Sequence, residues 1–130
     1  MDCTQQAIKI YEVCVKNAKL GKTLTYRDVL DYLGYGQRVQ GHSIRYGLEL
    51  AWIACAYSNL PILTSIVVNQ GTGEPSANGY SVADWEKDAQ KVFNQKEWTD
   101  VDDIDWDYVY KHRAELSKIH GTRGYWNKKN

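Results

Sequence analysis

Gly21-Lys22-Thr23-Leu24-Thr25-Tyr26-Arg27-Asp28-Val29, then Gly34-Tyr35-Gly36-Gln37-Arg38-Val39-Gln40-Gly41, is the stretch whose reading decides the fold. Thr25 with Asp28 three residues on forms a capping-box pair, in which each side chain satisfies the other's exposed amide at a helix start. A short helix therefore begins at Thr25, with Val29, Leu30 and Leu33 as its inner face and Gly34 as its stop. Gly34 and Gly36 permit the positive backbone angles of a tight turn. Beyond the turn, Ile44, Leu48, Ala51, Trp52 and Cys55 recur at core spacing and predict a third helix over 38–57. Gly41 and Gly47 lie inside that pattern. Each costs about 1 kcal/mol against Ala in a helix interior, so close packing or a break is expected there.

Working outward, residues 5–19 follow a helical period with Thr4 as the expected N-cap and Gly21 as the end. Ala7, Tyr11, Cys14 and Ala18 share one face, with Ile8, Ile10 and Val15 beside it. Pro61 introduces a β-rich run, Ile62 to Val68, read as a strand. Gln70 to Gly79 is a loop dense in Gly, Pro, Ser and Asn, the expected wing of a winged helix. Ser81 is read as the cap of a fourth helix at about 82–94, with Trp85, Ala89, Val92 and Phe93 inward. Asp84 lies in its first turn, where a negative charge suits the helix dipole. An acidic connector, Asp100-Val101-Asp102-Asp103, precedes a last helix expected over 104–118. The tail, 121–130, is basic and aromatic and reads as poorly ordered.

A chain of 130 residues is expected to form one domain, here residues 1–120, and buries enough surface to need no metal or disulfide staple. Its 43% apolar and 25% charged residues are ordinary for a soluble globular domain. Ten Tyr and five Trp against one Phe are less ordinary, because these rings carry a polar handle suited to half-wet surfaces. Net charge is zero but uneven. Residues 1–60 hold seven Lys/Arg against five Asp/Glu, 61–110 three against ten, and 111–130 six against one. Nucleic-acid binding then requires the basic segments to gather on one face. Cys3, Cys14 and Cys55 show no zinc spacing; two of them sit in helical patterns among apolar neighbours and read as small buried hydrophobes, which favours a reducing, cytoplasmic compartment. No signal-peptide pattern and no run of membrane-spanning length occurs.

The order of pieces in 21–80 carries one further reading. After the stretches quoted above come Leu60-Pro61-Ile62-Leu63, Val67-Val68-Asn69 and Asn78-Gly79-Tyr80. This order resembles the DNA-binding domain of the O6-alkylguanine-DNA alkyltransferases and alkyltransferase-like proteins. The resemblance implies a winged-helix-like core whose second helix, from Arg38, is a recognition helix. It implies that Tyr26 presses on the target nucleotide's phosphate and that Arg38 enters the base stack in place of a flipped base. A planar guanidinium suits that second role. The family's Pro-Cys-His-Arg segment is absent, and Thr64-Ser65-Ile66 stands before the paired valines. A chain without the thiolate and its histidine base cannot accept an alkyl group. Residues 81–130 have no counterpart in the resemblance.

Other chemistry finds less in the sequence. Gly71-Thr72-Gly73-Glu74-Pro75-Ser76 lacks the Lys-Ser/Thr of a phosphate loop and reads as a turn. Asp100 to Asp107 lacks the glycine and glutamate of a calcium loop, so Asp103 or Asp105 is expected to cap a helix. His42, His112 and His120 show no metal spacing, and His112 is expected to face solvent. Cys55 lies on an apolar face with no histidine nearby in sequence and reads as structural. Glu97 to Asp107 holds Glu97, Asp100, Asp102, Asp103, Asp105 and Asp107 with Trp98 and Trp106 interleaved. This band reads as solvated charge, or as a docking surface for a basic protein with the Trp rings as anchors.

These readings sum to a helix-rich α+β domain with a winged-helix-like core and extra C-terminal helices, with no cofactor, no metal and no membrane association. The expected function is non-enzymatic nucleic-acid binding to duplex DNA through Tyr26, Arg27, Gln37, Arg38 and Arg45. The alternative is a protein-binding inhibitor or accessory factor, of mobile-element or phage type, acting through Trp98, Asp102, Asp103, Asp105 and Trp106.

Overall fold

The structure, a computed structural model, describes residues 1–75 and 82–120, without the side chains of His42 and of 82–84. It is a small α+β domain. Six α-helices occur among the described residues: α1 (Cys3–Lys19), α2 (Tyr26–Tyr32), α3 (Arg45–Tyr57), α4 (Val82–Asn94), α5 (Trp106–Lys111) and α6 (Arg113–His120). Two short strands, β1 (Leu24–Thr25) and β2 (Val67–Val68), pair in parallel with Leu24 opposite Val67 and Thr25 opposite Val68. Turns of 3-10 helix occupy Gly41–Ile44, Leu63–Ile66 and Val101–Asp103.

Local chemistry accounts for several helix boundaries. Asp2, rather than Thr4, caps α1: its carboxylate accepts from the Gln5 amide at 2.8 Å, and the Gln5 side chain accepts from the Asp2 amide at 2.9 Å. That reciprocal pair starts the helix two residues earlier than the expected 5–19. Thr25 and Asp28 make the expected capping box on α2. Helix α2 ends in a Schellman turn, with the Tyr35 amide on the Leu30 carbonyl, the Gly34 amide on the Asp31 carbonyl and Gly34 at φ +84. Helix α3 ends the same way on Asn59, at φ +58, a position where asparagine is tolerated.

The core runs between α1 and α3, which cross closely. Ile10, Tyr11 and Cys14 of α1 meet Leu50, Ile53 and Cys55 of α3 in one buried cluster that also takes in Leu63, Ile66, Val92 and Trp106. Gly47 makes the crossing possible, because a Cβ there would stand 2.8 Å from Gln6 Cβ and 3.2 Å from Ile10 Cδ1. Of the expected inner face of α4, Ala89 and Val92 are buried, while Trp85 and Phe93 pack at its margin.

Three expected elements differ. The helix expected over 38–57 begins as α-helix only at Arg45; residues 36–40 are loop and Gly41–Ile44 a 3-10 turn. Gly41 lies against the Tyr26 ring, with a virtual Cβ 3.7 Å from Tyr26 Cβ, and no side chain caps α3. The strand expected over 62–68 is a 3-10 turn followed by two paired residues, since only Val67 and Val68 find a partner strand. The helix expected over 104–118 is two helices with His112 between them, where the backbone leaves helical geometry at φ −105. Asp105 caps α5 by accepting from the Tyr108 amide. Asn78-Gly79-Tyr80, the Ser81 cap, the outer part of the expected wing and the tail 121–130 lie outside the described residues.

Candidate functional site

The site is built around the loop 33–40 that joins α2 to the start of α3. Arg27, on the first turn of α2, is turned inward over this loop. Its guanidinium donates to the carbonyls of Tyr35 (3.3 Å), Gly36 (3.2 Å), Gln37 (3.5 Å) and Val39 (3.4 Å). Its Nε pairs with Asp31 one turn along at 3.1 Å. Arg27 was expected to touch nucleic acid directly; the structure engages its donors within the chain.

A second clamp comes from α1. Gln6, buried, donates from Nε2 to the Tyr35 hydroxyl at 2.9 Å and to the Ser43 carbonyl at 3.4 Å. One side chain therefore ties both ends of the corner to the core. Sequence reasoning missed Gln6, although a polar residue on the apolar stripe of Cys3, Ala7 and Ile10 was the available signal: such a group is buried only with partners. Between the two clamps, Gln37, Arg38 and Gln40 are exposed. Arg38 lies in the loop, not on a helix. Tyr26 is half-buried, packs on the core and lies against Gly41. Arg45, half-buried at the start of α3, holds its guanidinium 4.7 Å from the centroid of the Tyr46 ring. The parallel strand pair brings Leu24–Thr25, and with it the start of α2, beside Val67–Val68.

The turn before β2 carries no thiol. Thr64 and Ser65 are buried, and the hydroxyls of both lack a hydrogen-bond partner among the described residues. Cys55, fully buried nearby, receives the Leu63 amide; burial pushes its thiol up to about 12, against that hydrogen bond. Burial raises Cys14 as well, and half-burial pushes Cys3 up to about 11 against the pull of Arg113. None of the three is the low-pKa thiolate a nucleophile requires.

The acidic band is divided by packing. Asp102, Asp103 and Asp105 are exposed, and Trp98 is half-buried. Trp106, expected as an outward anchor, is 7% exposed. Its indole donates to the Val101 carbonyl at 2.9 Å, and Tyr11 meets its ring edge-on at 6.1 Å. An amphipathic ring with a hydrogen-bond partner inside is stable in a core, so position 106 belongs to the interior. His112, expected to face solvent, is partly covered by the Tyr108 ring at 4.3 Å and sits 3.6 Å from Glu115. A surface depression of about 520 Å³ between Asn59–Ile62 and the outer face of α4 shares no residue with the corner.

Among the described residues no His, Cys, Asp or Glu grouping could hold a metal, and no helix is long and apolar enough to cross a membrane. Comparison of the chain with protein-family models, curated proteins and solved structures finds no match.

Proposed function

We propose that this chain is a non-enzymatic protein of a reducing compartment that binds duplex DNA through the corner formed by α2, the loop 33–40 and the start of α3. The observation that carries the reading is the double clamp on that loop. Arg27 fixes its backbone carbonyls, Gln6 holds the Tyr35 hydroxyl and the Ser43 carbonyl beyond its end, and the side chains left outward between them are those of Gln37, Arg38 and Gln40. A pre-organised loop loses less entropy on binding than a mobile one. An exposed arginine flanked by amides suits phosphate and base-edge contacts. In this reading Gln37, Arg38 and Arg45 face the nucleic acid, Tyr26 supports the corner, and Arg27 is a positioning residue.

The likeness to the alkyltransferase-like pattern, with its winged-helix type of core, belongs to the same proposal. The β1–β2 pairing supports it, because it sets two of the quoted stretches side by side. Alkyl transfer is not part of the proposal, since the Thr64–Ile66 turn offers no thiol.

The test is fluorescence anisotropy of a labelled duplex titrated with the protein across a salt series. Binding at low salt that weakens steeply as salt rises is expected. Arg38→Ala should weaken it about tenfold and flatten the salt slope by about one. Absence of binding at low salt, or an Arg38→Ala protein indistinguishable from the parent, overturns the reading.

A further inference from the structure

A second surface, remote in sequence from the corner, carries an exposed ladder of rings. Tyr57, at the last turn of α3, stacks on Tyr108 of α5 with centroids 5.1 Å apart and planes 27° from parallel. Tyr108 in turn lies 4.3 Å from His112. Tyr57 and Tyr108 are 44% and 40% exposed, so both rings reach solvent.

Charge decides what the ladder recognises. Asp105 caps α5 through the Tyr108 amide, Asp107 is the neighbouring residue, and Glu115 sits 3.6 Å from His112 at the other end. Residues 100–115 hold six carboxylates (100, 102, 103, 105, 107 and 115) against the two cations Lys111 and Arg113. Arg113 is stacked over Tyr110 at 4.1 Å. Phosphate is repelled by this arrangement, whereas a cation is drawn to both the ring faces and the carboxylates. Arginine fits better than lysine, because its planar group stacks while its edge bonds to carboxylate. The protein already uses guanidinium–tyrosine contacts twice, at Arg45–Tyr46 and Arg113–Tyr110.

We propose that the Tyr57–Tyr108–His112 ladder with its flanking carboxylates docks an arginine-bearing basic segment of a protein partner. The guanidinium lies on the outward face of Tyr57, the end ring that Tyr108 holds in place, and the basic residues beside it meet the carboxylates of α5 and its approach.

The test uses the full chain and three labelled probes: hexa-arginine, hexa-lysine and single-stranded oligo-dT. Hexa-arginine is expected to bind more tightly than hexa-lysine. Tyr57→Ala should weaken hexa-arginine about fivefold, the scale of one cation–ring contact, and Tyr108→Ala, which removes the ring that positions Tyr57, should weaken it in the same direction. Tyr108→Phe, which keeps the ring, should bind like the parent, and a parent-like far-UV circular dichroism spectrum and melting transition of each alanine variant separates loss of binding from unfolding. Arg38→Ala should leave hexa-arginine binding unchanged, which separates this surface from the DNA-binding corner. Equal binding of the two cationic peptides with no effect of Tyr108→Ala overturns the proposal in favour of diffuse charge. Oligo-dT binding that is lost in Tyr108→Ala overturns it in favour of nucleic acid, and no binding of hexa-arginine overturns it outright.

Discussion

Gly47 of α3 and Gln6 of α1 touch where the two helices cross, leaving no room for a methyl group at position 47. Gly47→Ala gains helix propensity of about 1 kcal/mol. It also drives a Cβ against the root of Gln6, which no flexible tip can relieve. Overpacking of this kind costs about 1–3 kcal/mol. The substitution should therefore lower the urea midpoint, and a rise would show that the crossing relaxes at little cost. Because Gln6 also holds Tyr35 and Ser43, the same variant should raise amide exchange in the loop 35–43.

Arg27 should matter through geometry rather than charge. Arg27→Ala frees four loop carbonyls and an ion pair that is partly exposed, so the loss of stability is about 1–2 kcal/mol. Arg27→Lys keeps the charge but lacks the planar fork that spans several carbonyls, and should recover little. Thermal unfolding of the three proteins checks the order. Full recovery by lysine would show that charge alone is used.

Trp106 and the aspartates beside it should separate cleanly. Trp106→Ala removes a buried ring and should cost about 3–5 kcal/mol. Asp102→Asn and Asp103→Asn, both on the surface, should stay within about 0.5 kcal/mol of the parent. Denaturant titration distinguishes them, and a near-neutral Trp106→Ala would contradict the buried placement.

The buried thiols contribute to loss of stability at alkaline pH. Burial raises Cys14 and Cys55 above the ordinary value of 9.0, with Cys55 at about 12. Below pH 9 the thiols are protonated in both folded and unfolded chains, and their contribution is constant. Above pH 9 the unfolded chain releases these protons while the folded chain keeps them, so stability falls from pH 9 upward until the folded values are passed. Unfolding measured at pH 8 and pH 10.5 should show that loss, and Cys55→Ala should show less of it. At neutral pH a thiol reagent should leave Cys14 and Cys55 unmodified until the protein is unfolded.

The places where sequence reading and structure part share one cause. Thr25 with Asp28 and Gly34 are legible because caps and stops act within a few residues. The inner faces of α1, α3 and α4 are legible because a helical period is a property of the chain alone. Residues 38–44 keep that period but not the helix. Gly41 rests on Tyr26, and Gln6 binds Ser43 from thirty-seven residues away. Residues 62–66 are β-rich but lie outside the strand, because pairing is available only opposite Leu24 and Thr25. Trp106 faces inward because Tyr11 and the Val101 carbonyl receive it.

By itself, then, the sequence determined the start and stop of α2 and the inner faces of α1, α3 and α4, since those follow from contacts one turn long. Only the tertiary structure decided that Arg27 holds the loop while Arg38 leaves it, that Trp106 is core, and that Tyr57 meets Tyr108. Those outcomes depend on partners distant in the chain, and on geometry that no local pattern encodes.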